Sequence, residues 1–124
     1  MFEVSSEVTF AAAHHLKHYQ GNCENVHGHN WRVRVSVGCE KLNEIGIGID
    51  FKKLKKLINN VVSVLDHKDL NTIFDAEGCN PTSENIAQYL YNELEQRLDV
   101  PHCKISRVDV YETADNCASY FEHD

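Results

Sequence analysis

Two histidines separated by a single residue, His27 and His29, stand at the head of the alternating run Trp31-Arg32-Val33-Arg34-Val35-Ser36-Val37. In a β-strand residues two apart share a face, so His27, His29, Trp31, Val33, Val35 and Val37 fall on one side and Asn30, Arg32, Arg34 and Ser36 on the other. The two imidazoles therefore begin the face to be buried. A buried polar ring without a partner costs on the order of 1–3 kcal/mol, and one shared metal ion satisfies both rings. Spacing alone says little, because eight histidines in 124 residues give about half a His-x-His pair by chance; the place of the pair at the mouth of a strand is what gives it weight. A third histidine obeys the same rule. Between residues 2 and 14, Phe2, Val4, Val8, Phe10, Ala12 and His14 share one parity and Glu3, Ser5, Glu7 and Thr9 the other, so a first strand also ends its inward face in a histidine, and His15 falls on the wrong side. The stretch Lys17 to Asn25, with Gly21 and Asn22, reads as the connection that returns the chain antiparallel and sets His14 beside His27 and His29. Three inward histidines have the ligand count of a catalytic zinc with one position left open.

Two further places hold chemistry-bearing residues. Asp66 and His67 stand side by side, an acid next to a histidine where a helix gives way to a loop, which by itself is the make-up of a polar helix terminus. Glu112 lies on the line of an apolar stripe, where a carboxylate either pairs with a basic side chain or holds the N–H groups of a ligand.

The elements that must position these residues follow in order. The second strand ends near Gly38, and Asn43-Glu44-Ile45-Gly46-Ile47-Gly48 is a glycine-loosened connection. Asp50 is placed as an N-cap, because Phe51, Leu54, Leu57, Ile58, Val61, Val62 and Leu65 recur at helical spacing. Lys52-Lys53-Leu54-Lys55-Lys56 supplies that helix with a solvated face. Residues 72–81 read as a loop; Thr82-Ser83-Glu84 then caps a second helix with the stripe Ile86, Ala87, Leu90, Tyr91, Leu94 and Leu98, ended by Pro101. A third strand places Ser106, Val108, Val110 and Glu112 on one face, and a last strand runs roughly from Cys117 to Phe121. The order ββααββ fits an α+β protein, an antiparallel sheet carrying two helices on one face.

Composition narrows the class. With 42% hydrophobic residues and neither repeat nor linker, the 124 residues suit one domain, residues 1–124. A net charge of −7 disfavours nucleic-acid binding, which needs a clustered basic surface. No apolar run approaches the roughly 18–20 residues of a membrane span, and Met1-Phe2-Glu3-Val4 lacks the layout of a signal peptide, so a cytoplasmic protein without membrane partners is expected. Five cysteines at irregular spacing, with no Cys-x-x-Cys, point to reduced thiols instead of a disulfide framework or a thiolate zinc knuckle.

Taken together the residues resemble the 6-pyruvoyl-tetrahydropterin synthase and 6-carboxy-tetrahydropterin synthase family. The resemblance runs through Phe10-Ala11-Ala12-Ala13-His14, Cys23 four residues ahead of His27-Gly28-His29, Ile49-Asp50-Phe51, Leu65-Asp66-His67, Leu70-Asn71, Asn80-Pro81-Thr82-Ser83-Glu84 and Glu112-Thr113. It implies a tunnelling fold (T-fold), with trimeric barrels stacked as a hexamer and active sites between subunits. By the same resemblance His14, His27 and His29 match zinc ligands, Cys23 the base that moves side-chain protons, Asp66 and His67 its relay partners, and Glu112 the residue that binds the pterin ring.

The implied substrate is 7,8-dihydroneopterin triphosphate, whose neighbouring hydroxyls suit a zinc ion that acidifies them and the adjacent C–H bonds. The short interval from Cys23 to His27 resembles bacterial 6-carboxy-tetrahydropterin synthases of the queuosine pathway, lyases that release acetaldehyde and triphosphate, more than the pyruvoyl enzymes. Glu24, directly after Cys23, matches relatives that make 6-hydroxymethyl-dihydropterin for folate, and so stands as an alternative base.

Overall fold

A computed structural model describes residues 1–18 and 25–122. Strand β1 (Phe2–His14) runs antiparallel to β2 (His27–Cys39), pairing Phe2 with Cys39 at one end and His14 with His27 at the other. Helix α1 (Phe51–Val62) follows, then a two-residue strand β3 (Lys68–Asp69), a short helix α2 (Leu70–Phe74), helix α3 (Ser83–Arg97), and strands β4 (Cys103–Tyr111) and β5 (Cys117–Tyr120). The sheet order is β3-β1-β2-β4-β5. Helices α1 and α3 cover one face, α1 over β1 and α3 over β4 and β5.

The helix starts are those the cap residues dictate. Asp50 Oδ1 accepts from the Lys52 and Lys53 amides at 2.7 and 3.4 Å, and Thr82 Oγ1 accepts from Asn85 N at 3.1 Å, which satisfies otherwise orphaned N–H groups of each first turn. Leu54, Ile58, Val61 and Val62 of α1 and Ile86, Ala87, Leu90, Tyr91 and Leu94 of α3 pack on Val33, Val35, Val37, Val108 and Val110 of the sheet. All four lysines of α1 are exposed, as its solvated face requires.

Five expectations need correction. α1 stops at Val62 and not near Leu65, although Leu65 remains fully buried, and Phe51, expected on the apolar stripe, is 67% exposed. Lys68–Asp69 and Leu70–Phe74 form a strand and a helix where a terminus and a loop were expected; β3 pairs parallel to β1 at Ala12 and Ala13, so the sheet is not wholly antiparallel. Two-residue strands lie below what periodicity detects. Finally, Ser106 does not share the Val108 face. It is the extra residue of a β-bulge, between Ile105 opposite Val37 and Arg107 opposite Ser36, and its hydroxyl donates to Ser36 O at 3.0 Å. The bulge turns Ile105 into the core with Val108 and Val110.

Candidate active site

The β1–β2 ladder ends in histidines. His14 lies opposite His27, and His29 opposite Ala12, so the three rings share one face at the strands' open end. His14 is buried, but His29 is only partly buried and His27 exposed, against the expectation of a buried face, because the helices cover the middle of the sheet and not the end where His27 starts β2. Their ring centroids are 4.7 Å (His14 to His27), 5.3 Å (His14 to His29) and 4.7 Å (His27 to His29) apart, mutually edge-on. Trp31 is the floor, 4.9 Å from His14 and 5.5 Å from His29, with its indole N–H donating to Ala12 O at 3.2 Å. Glu112, just past β4, completes the group: one ligand atom from each of His14, His27, His29 and Glu112 lies within 4.8 Å of the others.

The tautomers follow from backbone carbonyls, which only accept. His14 Nδ1 is 2.9 Å from Pro81 O and His27 Nδ1 is 2.9 Å from Asn25 O, so both rings carry their proton on Nδ1 and turn an Nε2 lone pair inward. His14 Nε2 is buried, makes no hydrogen bond, and lies 3.0 Å from Glu112 Oε1. A lone pair facing a carboxylate oxygen at that distance is two acceptors in opposition, a conflict removed by a cation on the histidine nitrogens together with an N–H donor to the carboxylate. These donors fit a divalent metal ion of the nitrogen and oxygen class, and the Nδ1–H···O=C bonds are the outer-sphere supports such ligands use.

Further residues hold the frame. Asn71 clamps the backbone of His15, its Oδ1 accepting from His15 N and its Nδ2 donating to His15 O, both at 2.9 Å. Asn80 clamps Lys17 in the same way at 2.9 Å for each bond. Asn71, Asn80 and the Pro81 carbonyl were singled out by sequence only as matched motifs, with no role; the one signal was asparagine beside Leu70 and Pro81, where a side chain that bonds backbone is common.

Asp66 and His67 form their own pair at the outer edge of β1. Asp66 Oδ1 accepts from Ala11 N at 2.9 Å and lies 3.0 Å from His67 Nδ1, while His67 N donates to Ala11 O at 2.6 Å. The Ala11 N–H, and then the adjacent His67, hold the Asp66 carboxyl below the usual range for aspartate. The structure does not bring this pair into the histidine cluster. Cys23 and Glu24 lie outside the described residues.

The fold and site define an α+β protein with a histidine-carboxylate metal-type centre at the end of its sheet. The chain belongs to the 6-pyruvoyl tetrahydropterin synthase family, whose model matches residues 3–123. It is 38% identical over 126 residues to the 6-carboxy-5,6,7,8-tetrahydropterin synthase of Synechocystis sp., covering 98% of this chain and 94% of the relative. It is also 39% identical over 106 residues to the dihydroneopterin monophosphate aldolase of Pyrococcus furiosus, covering 84% and 83%. Among solved structures, the 6-pyruvoyl tetrahydropterin synthase of Caenorhabditis elegans superimposes with a TM-score of 0.84 at 26% identity, over 98% of this chain and 96% of that one. The architecture is the T-fold. Among the described residues no helix is long and apolar enough to cross a membrane.

Proposed function

We propose that this chain is a zinc-dependent 6-carboxy-5,6,7,8-tetrahydropterin synthase, a lyase that converts 7,8-dihydroneopterin triphosphate into 6-carboxy-tetrahydropterin, acetaldehyde and triphosphate, acting in the cytoplasm on the route to queuosine. The observation that supports its chemistry is the set of inward nitrogens on His14 and His27, locked by Nδ1–H bonds to Pro81 O and Asn25 O and joined by His29. The substrate class rests on the relatives' names.

His14, His27 and His29 hold the zinc, which when bound acidifies substrate hydroxyls and adjacent C–H bonds. Cys23, four residues before His27, takes a side-chain proton; Asp66 fixes the His67 ring through their 3.0 Å contact for proton return. Glu112 accepts N–H bonds from the pterin ring, which selects that ring by leaving others unpaired.

The chain acts as one domain in a homo-oligomer, a hexamer of two trimers. Among the described residues no strand pairs with the outer edge of β1 from Phe2 to Phe10, an edge free to join a second copy's sheet. The separation of Asp66 and His67 from the cluster within one chain favours sites completed by a neighbouring subunit.

Cys23-Glu24 and the aldolase relative favour a second reading, cleavage to 6-hydroxymethyl-dihydropterin as an additional activity. Incubation with 7,8-dihydroneopterin triphosphate tests both. The expected products are triphosphate, acetaldehyde and 6-carboxy-tetrahydropterin, with a hydroxymethyl product that Glu24→Ala removes. A 6-pyruvoyl product retaining all three side-chain carbons refutes the main reading; an unchanged mixture from Glu24→Ala refutes the second.

A further inference from the structure

Cys39 ends β2 and Cys103 begins β4, and the two are register partners. The adjacent pair is bonded, Glu40 N donating to His102 O at 2.9 Å, so by antiparallel alternation Cys39 and Cys103 form a non-hydrogen-bonded pair. Two amides confirm the alternation by pointing away from β2: Cys103 N donates to Val100 O at 3.3 Å, and Ile105 N to Glu95 Oε2 at 3.1 Å. In such pairs the Cα atoms are about 4.5 Å apart, within the roughly 4.4–6.8 Å that a disulfide spans. The two Sγ atoms already stand 3.1 Å apart. That is closer than the about 3.8 Å between two thiolates on one tetrahedral zinc, so the pair suits a bond between its own sulfurs better than a shared metal.

The neighbouring backbone holds this arrangement. Cys103 Sγ contacts Gly48 O at 3.5 Å, and a Cβ placed on Gly48 would come within 2.8 Å of Cys39 Sγ, so only glycine lets the connection press on the thiols. Cys39 is fully buried and Cys103 partly exposed, which gives an oxidant one entry. Burial pushes the Cys39 thiol up to about 11 and keeps it a neutral second partner.

We propose that Cys39 and Cys103 are a reversible thiol-disulfide modification site, oxidised by a peroxide at Cys103 and closed by Cys39. The Cys103 thiolate attacks one oxygen of hydrogen peroxide, giving a sulfenic acid and, after protonation, water. The Cys39 sulfur then attacks the Cys103 sulfur; hydroxide leaves and takes up the Cys39 proton. Two thiols lose two electrons to one peroxide, and two waters form. The bridge ties β2 to β4 at the opposite end of β2 from His27, about 40 Å along the strand, so it stabilises the fold without altering the histidine cluster.

The test treats the intact protein with stoichiometric hydrogen peroxide, alkylates it in denaturant and maps tryptic peptides without reduction. The expected result is a cross-link between the peptides Val35–Lys41 and Leu98–Lys104, loss of one pair of alkylatable thiols, and reversal by dithiothreitol. The unfolding temperature should rise by about 10 °C in the wild type and in Cys117→Ser, and not in Cys103→Ser. Sulfinic acid at Cys103 with Cys39 still alkylatable, or a cross-link joining other cysteines, overturns the proposal. The mapping uses the wild-type chain, so it stands even if Cys103→Ser folds poorly.

Discussion

Trp31→Phe is the sharpest probe of how the cluster is held. Trp31 has no solvent exposure, stacks 6.1 Å from Phe10, and meets His14 and His29 edge-on. Phenylalanine keeps a ring in the slot but removes about 40 Å³, which at roughly 24 cal/mol per Å³ of residual cavity costs about 1 kcal/mol. It also removes the indole N–H that donates to Ala12 O, a neutral buried bond contributing about 1 kcal/mol. The sum is a destabilisation of about 2 kcal/mol, read as a lower urea midpoint with unchanged slope at fixed protein concentration. Far-UV circular dichroism is the signal to use, because Trp31 is the chain's only tryptophan. Metal binding gives an independent reading. The Nδ1 bonds of His14 and His27 go to Pro81 O and Asn25 O and do not involve the indole, so zinc affinity in a chelator competition should fall no more than about tenfold. A destabilisation under about 0.5 kcal/mol would show that the indole is not a packed floor. Zinc loss as severe as that of a ligand deletion would show that the wall, not the carbonyls, aims the rings.

His29→Ala should lose most of the zinc found by elemental analysis of protein purified without added metal, whereas Cys23→Ala should keep zinc and lose turnover; zinc loss from Cys23→Ala would move the thiol into the coordination shell. Glu112→Ala should weaken pterin binding measured by calorimetry by about 1.5–3 kcal/mol, the size of a charge-assisted hydrogen bond, and unchanged binding would remove the carboxylate from recognition. Asp66 is held below its ordinary value of 3.8, so its contribution to stability is present above about pH 4 and fades as pH falls through the depressed value. Asp66→Asn should therefore be less stable than the wild type at neutral pH, with the gap closing as pH falls through the depressed value; a gap of unchanged size across the acid range would rule out that linkage.

The alternation of β1 and β2 by itself determined which histidines face inward, because side chains repeat with period two and a one-residue slip would expose the valines. Asp50 and Thr82 fixed the starts of α1 and α3 for an equally local reason, since an N-cap bonds amides two or three residues ahead. The parity of β4 was not legible past Ser106, because a bulge depends on the partner strand as much as on its own residues. The lone-pair direction of His14 was decided only in three dimensions, by a carbonyl 67 residues away at Pro81. The frame around it rests on Asn71 and Asn80, which bond backbone 56 and 63 residues distant. Glu112 faced an open choice between a basic partner and a ligand's N–H groups; the fold set it against His14 Nε2. Ladder periodicity and caps are written in neighbouring residues, whereas tautomers, backbone clamps and converging ligand atoms arise from contacts between distant segments, which only the closed fold brings within hydrogen-bonding reach.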